Sequence, residues 1–341
     1  MSDEIVLTGI KPTGEPHLGH AVGAIQPALE LADQPDVRPF FFMADYHALT
    51  KLHDPDRLEE LTHQVAAAWL AFGLDPDDAL FYRQSDIPEI FELSWVLSCF
   101  TSKGLMNRAH AYKAAVEANR SDGIDEDAGI DMGLYTYPIL MAADILMFKA
   151  DTVPVGQDQI QHVEIARDVA GSFNHTYDEN VFKLPEHRVK ETTGAIPGLD
   201  GRKMSNSYDN FIPLFAESEE LKDLCFQIET DSSPRDAPKD PDDSIVFDIY
   251  EAFADDEQTE ALAERYREGL GWGDAKLVLF DLLDDVLAEP REKYQTLMDD
   301  RAQIDAILDD GAERAREMAA PFMEKIRRTT RSEERRVGKE C

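Results

Sequence analysis

The chain has 341 residues, enough for one large domain or two ordinary ones with a sizeable apolar core. Hydrophobic residues make up 43%, but no apolar run approaches about 18 residues, so we expect no membrane-spanning helix and no signal peptide in the acidic start. The net charge of −35, in a chain too apolar to be disordered, predicts a salt-adapted surface on which any nucleic acid must meet a local basic patch. The three cysteines form no Cys-x-x-Cys motif, which favours a reducing cytoplasm over a zinc site.

Apolar segments alternate with helical patterns as far as residue 200. Strands are predicted at Ile5–Leu7, Pro39–Met43, Ala79–Tyr82 and Thr152–Val155. Helices are predicted at Gly19–Ala32, Pro55–Phe72, Ile87–Cys99, Gly104–Ala118, Pro138–Phe148 and Gln159–Ala170. This alternation predicts an α/β fold with a Rossmann-type, doubly wound parallel sheet, in which ligands bind at the carboxyl ends of the strands.

The rest of the chain has a different pattern. Residues Asn119–Asp131 are predicted to form an exposed acidic insertion, and strand signals fade after Pro213. The polar, proline-rich segment Asp231–Ser244 predicts a connection, and four or five helices follow it to Arg328. We therefore predict a Rossmann-type α/β domain over residues 1–210 and a helical domain over residues 211–330. Residues 331–341 resemble the translation of a sequencing adapter, and we expect them to be a non-native tail.

The first chemical motif is His17-Leu18-Gly19-His20, where a glycine-rich loop enters a predicted helix. Backbone N–H groups at a helix N-terminus, together with imidazoles, suit anionic phosphates. Gly19 would let a nucleotide approach the backbone closely. A plain helix-entry turn with surface histidines is the alternative.

The second motif is GRKMSNSYDN, Gly201–Asn210, which has two adjacent cations, several hydroxyls and a glycine at one end. Such a loop can close over a polyphosphate and supply positive charge where negative charge develops. Taken alone, it is equally compatible with an ordinary surface loop.

Together, the HLGH and KMSNS motifs resemble the two nucleotide-binding motifs of class I aminoacyl-tRNA synthetases. Thr136–Asp168, which lies between them, and Met43–Thr50 resemble segments of the bacterial tryptophanyl-tRNA synthetases. The resemblance runs from residue 5 to residue 328 and implies a homodimer whose helical domain binds the anticodon. It also implies a tryptophan–tRNA ligase that uses ATP and Mg²⁺, with L-tryptophan and tRNA(Trp) as partners and neither DNA nor a membrane.

The resemblance implies roles for individual residues in ATP binding. His17, Gly19 and His20 would bind the phosphates and adenine, and Lys203–Ser207 would form a mobile phosphate loop. The full ATP set is Lys11, Pro12, Thr13, Gly19, His20, Gly156, Gln157, Asp158, Ile196, Lys203, Met204, Ser205, Asn206 and Ser207, of which Gly156–Asp158 would cradle the ribose. The catalytic set is His17, His20, Lys113, Lys203 and Ser205, and no metal ligand is predicted.

Asp144 has a physical argument of its own, because it lies in the otherwise apolar helix PILMAADILMF. A buried carboxylate needs a partner, and the indole N–H is a donor that needs an acceptor. Met141 shares the helical face of Asp144 and would suit the flat ring. The residues predicted to bind tryptophan are Leu7, Tyr137, Met141, Asp144, Val153, Val155 and Gln159. The family resemblance implies that Tyr137 and Gln159 hold the amino group of the substrate. A partly exposed helical Asp144 is the alternative.

Two residues depart from the family pattern. Lys11 occupies a position that often holds Gln, and Asn206 replaces the second lysine of the usual KMSKS motif. The missing charge predicts a slow enzyme, and it leaves open a catalytically weak paralogue that regulates by binding tRNA or tryptophan. A tyrosine-specific relative, whose substrate also needs a buried acceptor, is a further candidate. A small nucleotidyltransferase that shares only the HLGH loop is a weaker one, because this chain also has the KMSNS loop and a helical tail.

The histidines outside the motifs are less informative. His47 is predicted either to reach the ligand or to be a hydrogen-bonded structural residue. His162 and Glu164 are expected to serve helix packing and the helix surface.

Overall fold

The computed structural model describes residues 4–189 and 196–331, apart from the side chains of Asp158 and Val189. The predicted tail lies outside the described residues except for Arg331, which is exposed. Parallel strands form one sheet in the order β3-β2-β1-β4-β5. They are β1 (Glu4–Ile10), β2 (Val37–Met43), β3 (Leu80–Arg83), β4 (Thr152–Val155) and β5 (Glu186–Val189). The predicted fold class is confirmed, and the direction of strand order reverses at β1.

Helices cover both faces of this sheet and make up most of the chain beyond it. They are α1 (Leu18–His20), α2 (Gln26–Ala32), α3 (Asp45–Ala48), α4 (Pro55–Ala71), α5 (Pro88–Ser98), α6 (Lys103–Met106), α7 (His110–Asp122), α8 (Met132–Met147), α9 (Ile160–Tyr177), α10 (Ser218–Gln227), α11 (Ile245–Glu251), α12 (Asp256–Glu268), α13 (Trp272–Asp299) and α14 (Arg301–Arg331). A π-helical turn, Ala21–Ile25, joins α1 to α2, so the predicted helix here is continuous.

The sheet separates two apolar clusters, because successive side chains of a strand point to opposite faces. Phe40 and Phe42 of β2 belong to the cluster that also contains residues of α5, α8 and α9. Phe41 and Met43 belong to the other cluster, with residues of α4 and α13. Within the described residues, no helix combines the length and the apolarity needed to cross a membrane.

Three predicted helices have different bounds in the structure. The prediction of one helix over Gly104–Ala118 was wrong, because a turn separates α6 from α7 and Ala109 is extended (φ −59°, ψ 131°). Helix α8 begins at Met132, so Pro138 lies inside it; a proline was expected at a helix start because it lacks the N–H group. Helix α9 continues past the predicted end at Ala170 to Tyr177.

The acidic insertion and the fifth strand also differ from the expectation. The first four residues of Asn119–Asp131 prolong α7, which ends at Gly123 in the left-handed region (φ 70°). The remainder is an exposed turn. Strand β5 was not predicted because its sequence, Glu-His-Arg-Val, lacks the apolar pattern of a buried strand.

The four helices α11–α14 follow the connection, as predicted, and they pack on the part of the molecule that contains the sheet. Leu283 of α13 and Leu308 of α14 are buried in one cluster with Phe41 and Trp69. Helix α14 lies directly on the edge strand β3, since a side chain at Gly311 would collide with the carbonyl oxygen of Phe81. The domain boundary at residue 210 stays a prediction.

Candidate active site

The HLGH turn, His17–His20, follows β1 and starts α1 at the carboxyl end of the sheet. The rings of His17 and His20 stack with their centroids 3.7 Å apart. The backbone N–H of His17 donates to Nδ1 of His20 at 3.1 Å, and the N–H of His20 donates to the carbonyl of His17 at 2.8 Å. The turn is therefore fixed by its own residues.

Both histidines are neutral at pH 7. Burial, with smaller effects from His20 and Lys203, lowers the pKa of His17 to about 3, and burial lowers the pKa of His20 to about 4. A neutral imidazole presents one donor and one acceptor. The turn can therefore hydrogen-bond a phosphate or an adenine, but its imidazoles add no charge.

The KMSNS loop, Lys203–Ser207, is held beside the HLGH turn. Just beyond the loop, the backbone of Ile212 accepts from the N–H of Leu18 at 3.1 Å, and the N–H of Leu214 donates to Pro16 at 2.9 Å. Met204 is buried, and its N–H donates to the carbonyl of Ile196 at 3.1 Å. The structure thus brings together the two motifs, as the sequence predicts.

Of the two cations in Gly201–Asn210, Arg202 is paired with a neighbouring carboxylate, whereas none of the described ion pairs involves Lys203. Arg202, the other cation of the motif, donates to Asp200 at 2.6 Å. Hydrogen bonds from Asn210 and Arg202 lower the pKa of Asp200 to about 2. Asn210 also accepts from the N–H of Ser205 at 3.0 Å, which fixes the base of the loop. Lys203 itself is exposed.

Asn206 contacts the first loop. Its Nδ2 donates to the carbonyl of Glu15 at 3.2 Å, and a Cβ atom at Gly14 would lie 2.5 Å from that nitrogen. Glu15 is in turn paired with Arg57 of α4 at 2.8 Å. Where the usual motif has its second lysine, this chain therefore has an asparagine whose hydrogen bond joins the KMSNS loop to the loop that precedes the HLGH turn.

The remaining predicted cations are placed differently. Nζ of Lys11 lies 5.7 Å from the ring centroid of Tyr137, and burial, with a smaller effect from Lys51, lowers its pKa. Lys113 is exposed on α7 and lies 3.6 Å from Glu117. Among the described contacts, none joins Lys113 to the HLGH turn or the KMSNS loop. The structure brings Lys11 to the pocket and does not bring Lys113 there.

Asp144 is buried and satisfied on both carboxylate oxygens. Nε2 of His47 lies 2.8 Å from Oδ2, and Nε2 of Gln84 donates to Oδ1 at 2.7 Å. The side chain is only 1% exposed, which excludes a partly exposed helical aspartate. Burial raises its pKa, and the hydrogen bonds from His47 and Gln84 oppose this rise. His47 is thus hydrogen-bonded in the core, as one of its two predicted roles requires, and its reach to a ligand stays a prediction.

The other predicted tryptophan-site residues lie on elements that pack on the same side of the sheet as Asp144 or follow its strands. Tyr137 Oη lies 2.7 Å from Nε2 of His162, and its ring centroid lies 6.3 Å from that of His47. Leu7, Met141, Val153 and Val155 all belong to, or pack against, the apolar cluster on the same side of the sheet. Gly156 and Gln159 follow β4 and close a turn through a 3.0 Å backbone hydrogen bond.

The remaining ATP-set residues line the loops. In the first loop, Pro12 is buried and the N–H of Thr13 donates to the carbonyl of Lys11 at 3.0 Å. In the KMSNS loop, the side-chain oxygen of Ser205 accepts from the N–H of Ser207 at 3.2 Å. Gln157, after β4, is exposed. The side chain of Asp158 lies outside the described part of the chain.

Sequence reasoning missed Gln84 and underrated His162. Gln84 is fully buried and directly follows β3, so its position at the carboxyl end of a predicted strand was the available signal. His162 is 2% exposed and lies on Tyr137, whereas Glu164 is exposed as expected. Among the described residues, no group of three His, Cys, Asp or Glu side chains has the arrangement of a metal site.

Comparison with known families places this fold and site. The model of the family described as tRNA synthetases class I (W and Y) matches residues 2–288. The chain belongs to this family and is therefore an aminoacyl-tRNA synthetase, as the motifs predict.

Individual proteins that are similar in sequence or structure to this chain are named as tryptophan-specific synthetases. The chain is 54% identical over 324 residues to a tryptophan–tRNA ligase of Pseudomonas putida, covering 94% of this chain and 72% of the relative. It is 52% identical to a tryptophan–tRNA ligase of Neisseria meningitidis, covering 96% and 97% of the two chains. A crystal structure of tryptophanyl-tRNA synthetase from Campylobacter jejuni with ADP and tryptophan superposes with a TM-score of 0.86 at 41% identity, covering 94% of this chain and 98% of that one.

Proposed function

We propose that this synthetase is a tryptophan–tRNA ligase. It activates L-tryptophan with ATP to give tryptophanyl-adenylate and pyrophosphate, and it then transfers tryptophan to tRNA(Trp). The observation that carries the proposal is the buried carboxylate of Asp144, held by His47 and Gln84 beside an apolar wall. The indole ring is apolar with a single N–H donor, and this pocket offers a flat apolar surface with an acceptor. The similarity to ligases named for tryptophan supports the same substrate.

Specificity in this proposal comes from the acceptor and its surroundings. The indole N–H donates to Asp144, whose two oxygens retain acceptor sites beyond those used by His47 and Gln84. Met141 and the valines Val153 and Val155 contact the ring. Tyr137 and Gln159 bind the substrate amino group, and Leu7 closes the pocket at β1.

Activation needs no general base, because the substrate carboxylate is itself the nucleophile. A carboxylate oxygen bonds to the α-phosphorus as the bond from that phosphorus to the pyrophosphate oxygen breaks. The enzyme contributes alignment and charge stabilisation. The neutral imidazoles of His17 and His20 donate hydrogen bonds, while Lys203 and Lys11 supply positive charge, and Ser205 and Ser207 offer hydroxyls to the phosphates.

The nucleoside part of ATP lies across the HLGH turn. Adenine stacks near Gly19, against which Met204 packs, and Ile196 lies on the same side. Gly156, Gln157 and Asp158 hold the ribose, while Pro12 and Thr13 shape the first loop. The ATP phosphates would hold Mg²⁺ together with water, and the ion would neutralise part of their charge.

Lys113 has a weaker place in this proposal than Lys11. Lys113 is exposed beside Glu117, and no described contact joins it to the HLGH turn or to the KMSNS loop. Lys11 already lies over Tyr137. We therefore assign the cation nearest the reacting phosphate to Lys11 or Lys203.

Amino-acid-dependent exchange of pyrophosphate into ATP is the direct test of the activity. Tryptophan should support exchange, and tyrosine and phenylalanine should not. Exchange with tyrosine alone would identify a tyrosine-specific relative. Tryptophan binding without any exchange would identify a regulatory paralogue.

We further propose that the enzyme is a cytoplasmic homodimer whose residues 211–330 bind the anticodon. An exposed aromatic surface supports the dimer. The rings of Tyr46 and Phe91 pack 4.7 Å apart, and Trp95, one turn further along α5, is 73% exposed. Light scattering during gel filtration should give twice the chain mass, and Trp95→Glu should give the single mass.

Salt adaptation is proposed from the net charge alone. The relatives named above come from Pseudomonas and Neisseria, and their sources give this proposal no support. With 69 acidic and 34 basic residues, screening should relieve repulsion within the fold. The melting temperature should rise between low salt and about 1 M KCl, while the KM for tRNA increases because counterions compete. A flat or falling melting temperature contradicts the proposal.

A further inference from the structure

The carboxylate of Asp144 is held by two residues whose segments are tied to each other. Gln84 lies in the turn after β3, and His47 lies in α3. The N–H of Ser85, next to Gln84, donates to Oδ1 of Asp45 at 3.1 Å, and Asp45 starts the helix that carries His47. Asp144, Gln84 and His47 therefore belong to one connected arrangement. A displacement of the end of β3 would therefore move the Gln84 amide group that donates to Oδ1 of Asp144.

The end of β3 is held from its other side by an ionic cluster. Tyr82 and Gln84 face the side of Asp144, so Arg83 between them points the opposite way. We call Arg83, its partners Asp86, Asp305 and Asp309, and the His63 that contacts Asp305 the Arg83 cluster. Arg83 donates to Asp86 at 2.7 Å, to Asp305 at 2.8 Å and to Asp309.

Two members of the Arg83 cluster come from helix α14. Asp305 and Asp309 lie one turn apart in that helix, and Asp305 also pairs with the buried His63 of α4 at 3.0 Å. Further along α14, Arg314 donates to the carbonyl of Pro76 at 2.7 Å and to that of Ala79 at 3.3 Å, just before β3. Helix α14 therefore holds strand β3 at both of its ends.

We propose that α14 is a positioning element of the tryptophan site, which it fixes through the Arg83 cluster and Gln84. Asp305 and Asp309 hold Arg83, Arg83 fixes the end of β3, and Gln84 at that end holds Oδ1 of Asp144. Arg83, Asp305 and Asp309 are positioning residues, because none of them touches Asp144. The inference rests on the proposed function, since it assigns Asp144 to tryptophan recognition.

The test is pyrophosphate exchange by the full chain, with the KM values for tryptophan and ATP and kcat measured separately. Asp305→Asn combined with Asp309→Asn keeps the side-chain shapes and removes both charges from Arg83. The KM for tryptophan should rise about fivefold, with kcat and the KM for ATP unchanged. Gln84→Met removes the donor itself and should raise the same KM by about tenfold or more, the usual effect of a lost hydrogen bond to a charge.

A matched control lies on the same helix. Arg327 of α14 pairs with Glu92 of α5, so Glu92→Gln breaks a link of α14 that does not reach β3. This control should leave all three kinetic constants unchanged. Asp305→Glu retains the carboxylate and should keep the KM for tryptophan near that of the parent. Should the double variant prove too unstable to assay, Asp309→Asn alone should still raise this KM by about twofold.

The outcomes separate the two proposals. A parent enzyme with no tryptophan-dependent exchange overturns the proposed function together with this inference. An active parent whose double variant keeps the parental KM for tryptophan overturns the inference alone. Equal changes in every constant, or an equal change in the Glu92→Gln control, assign α14 a purely structural role.

Discussion

The HLGH turn is built from neighbours in the sequence, whereas the tryptophan pocket is built from residues far apart. His17 and His20 are three positions apart and stack on each other. Asp144 is held by His47, 97 positions away, and by Gln84, 60 positions away. A local motif keeps its geometry wherever its segment folds. An assembled carboxylate depends on the packing of several elements, so we expect changes to the pocket to act at a distance and changes to the loops to act locally.

The largest expected effect tests the assembled pocket. Asp144→Asn replaces an acceptor that accepts from two donors by an amide whose N–H₂ must face one of them. Losing a hydrogen bond to a charged group in a buried site costs about 1.5–3 kcal/mol, so kcat/KM for tryptophan should fall roughly 10- to 150-fold. Exchange kinetics at varied tryptophan and varied ATP would measure this. The KM for ATP should stay near the parental value.

Asp168→Asn, on the exposed face of α9, provides the control for this substitution. It should leave the kinetics unchanged, because the same chemical change is made outside the pocket. Equal kcat/KM for tryptophan in the parent and in Asp144→Asn would remove Asp144 from the pocket.

The sequence predicts the features that depend on neighbouring residues better than those assembled from distant ones. The HLGH and KMSNS motifs, four strands and Asp144 were predictable, because each depends on a short pattern. The contacts of Gln84 and His162 were not, because they are made with residues 60 and 25 positions away, and only the position of Gln84 after a predicted strand gave a signal. Strand β5 was missed because an edge strand can be polar, and the contact of α14 with β3 leaves no local trace except Gly311.

A smaller effect is expected at Asn206 in the KMSNS loop. Asn206→Lys adds a cation near the phosphates, and a charge about 4 Å from a phosphate oxygen is worth roughly 4 kcal/mol at an effective dielectric near 20. Exposure and side-chain ordering reduce this to about 1–2 kcal/mol. Adenylate formation should therefore accelerate about tenfold with little change in tryptophan affinity. Pre-steady-state formation of tryptophanyl-adenylate measures it.

Asn206→Ala separates the two consequences of that substitution. It removes the hydrogen bond to Glu15 without adding charge, so it should raise the KM for ATP without accelerating the chemical step. A neutral or harmful Asn206→Lys would show that Lys11 already supplies the charge. An inactive parent restored by the lysine would favour the regulatory paralogue.

The smallest expected effect tests whether burial in the HLGH turn keeps His17 neutral. The pKa of His17 is lowered to about 3 in the fold, whereas an unfolded histidine titrates near about 6.5. Below that value the unfolded chain binds a proton that the folded chain does not, so stability falls as the pH falls. Between about pH 6.5 and pH 5.5 this one group should lower the free energy of unfolding by about 1 kcal/mol.

The variant His17→Asn tests this, because asparagine cannot titrate in this range. Asparagine is also a favoured N-cap, so the variant keeps the start of α1. Urea unfolding at the two pH values should therefore give a drop about 1 kcal/mol smaller in the variant than in the parent. Equal drops would mean that His17 is protonated in the fold as readily as in the unfolded chain, and the HLGH turn would then offer ATP a positive charge as well as hydrogen bonds.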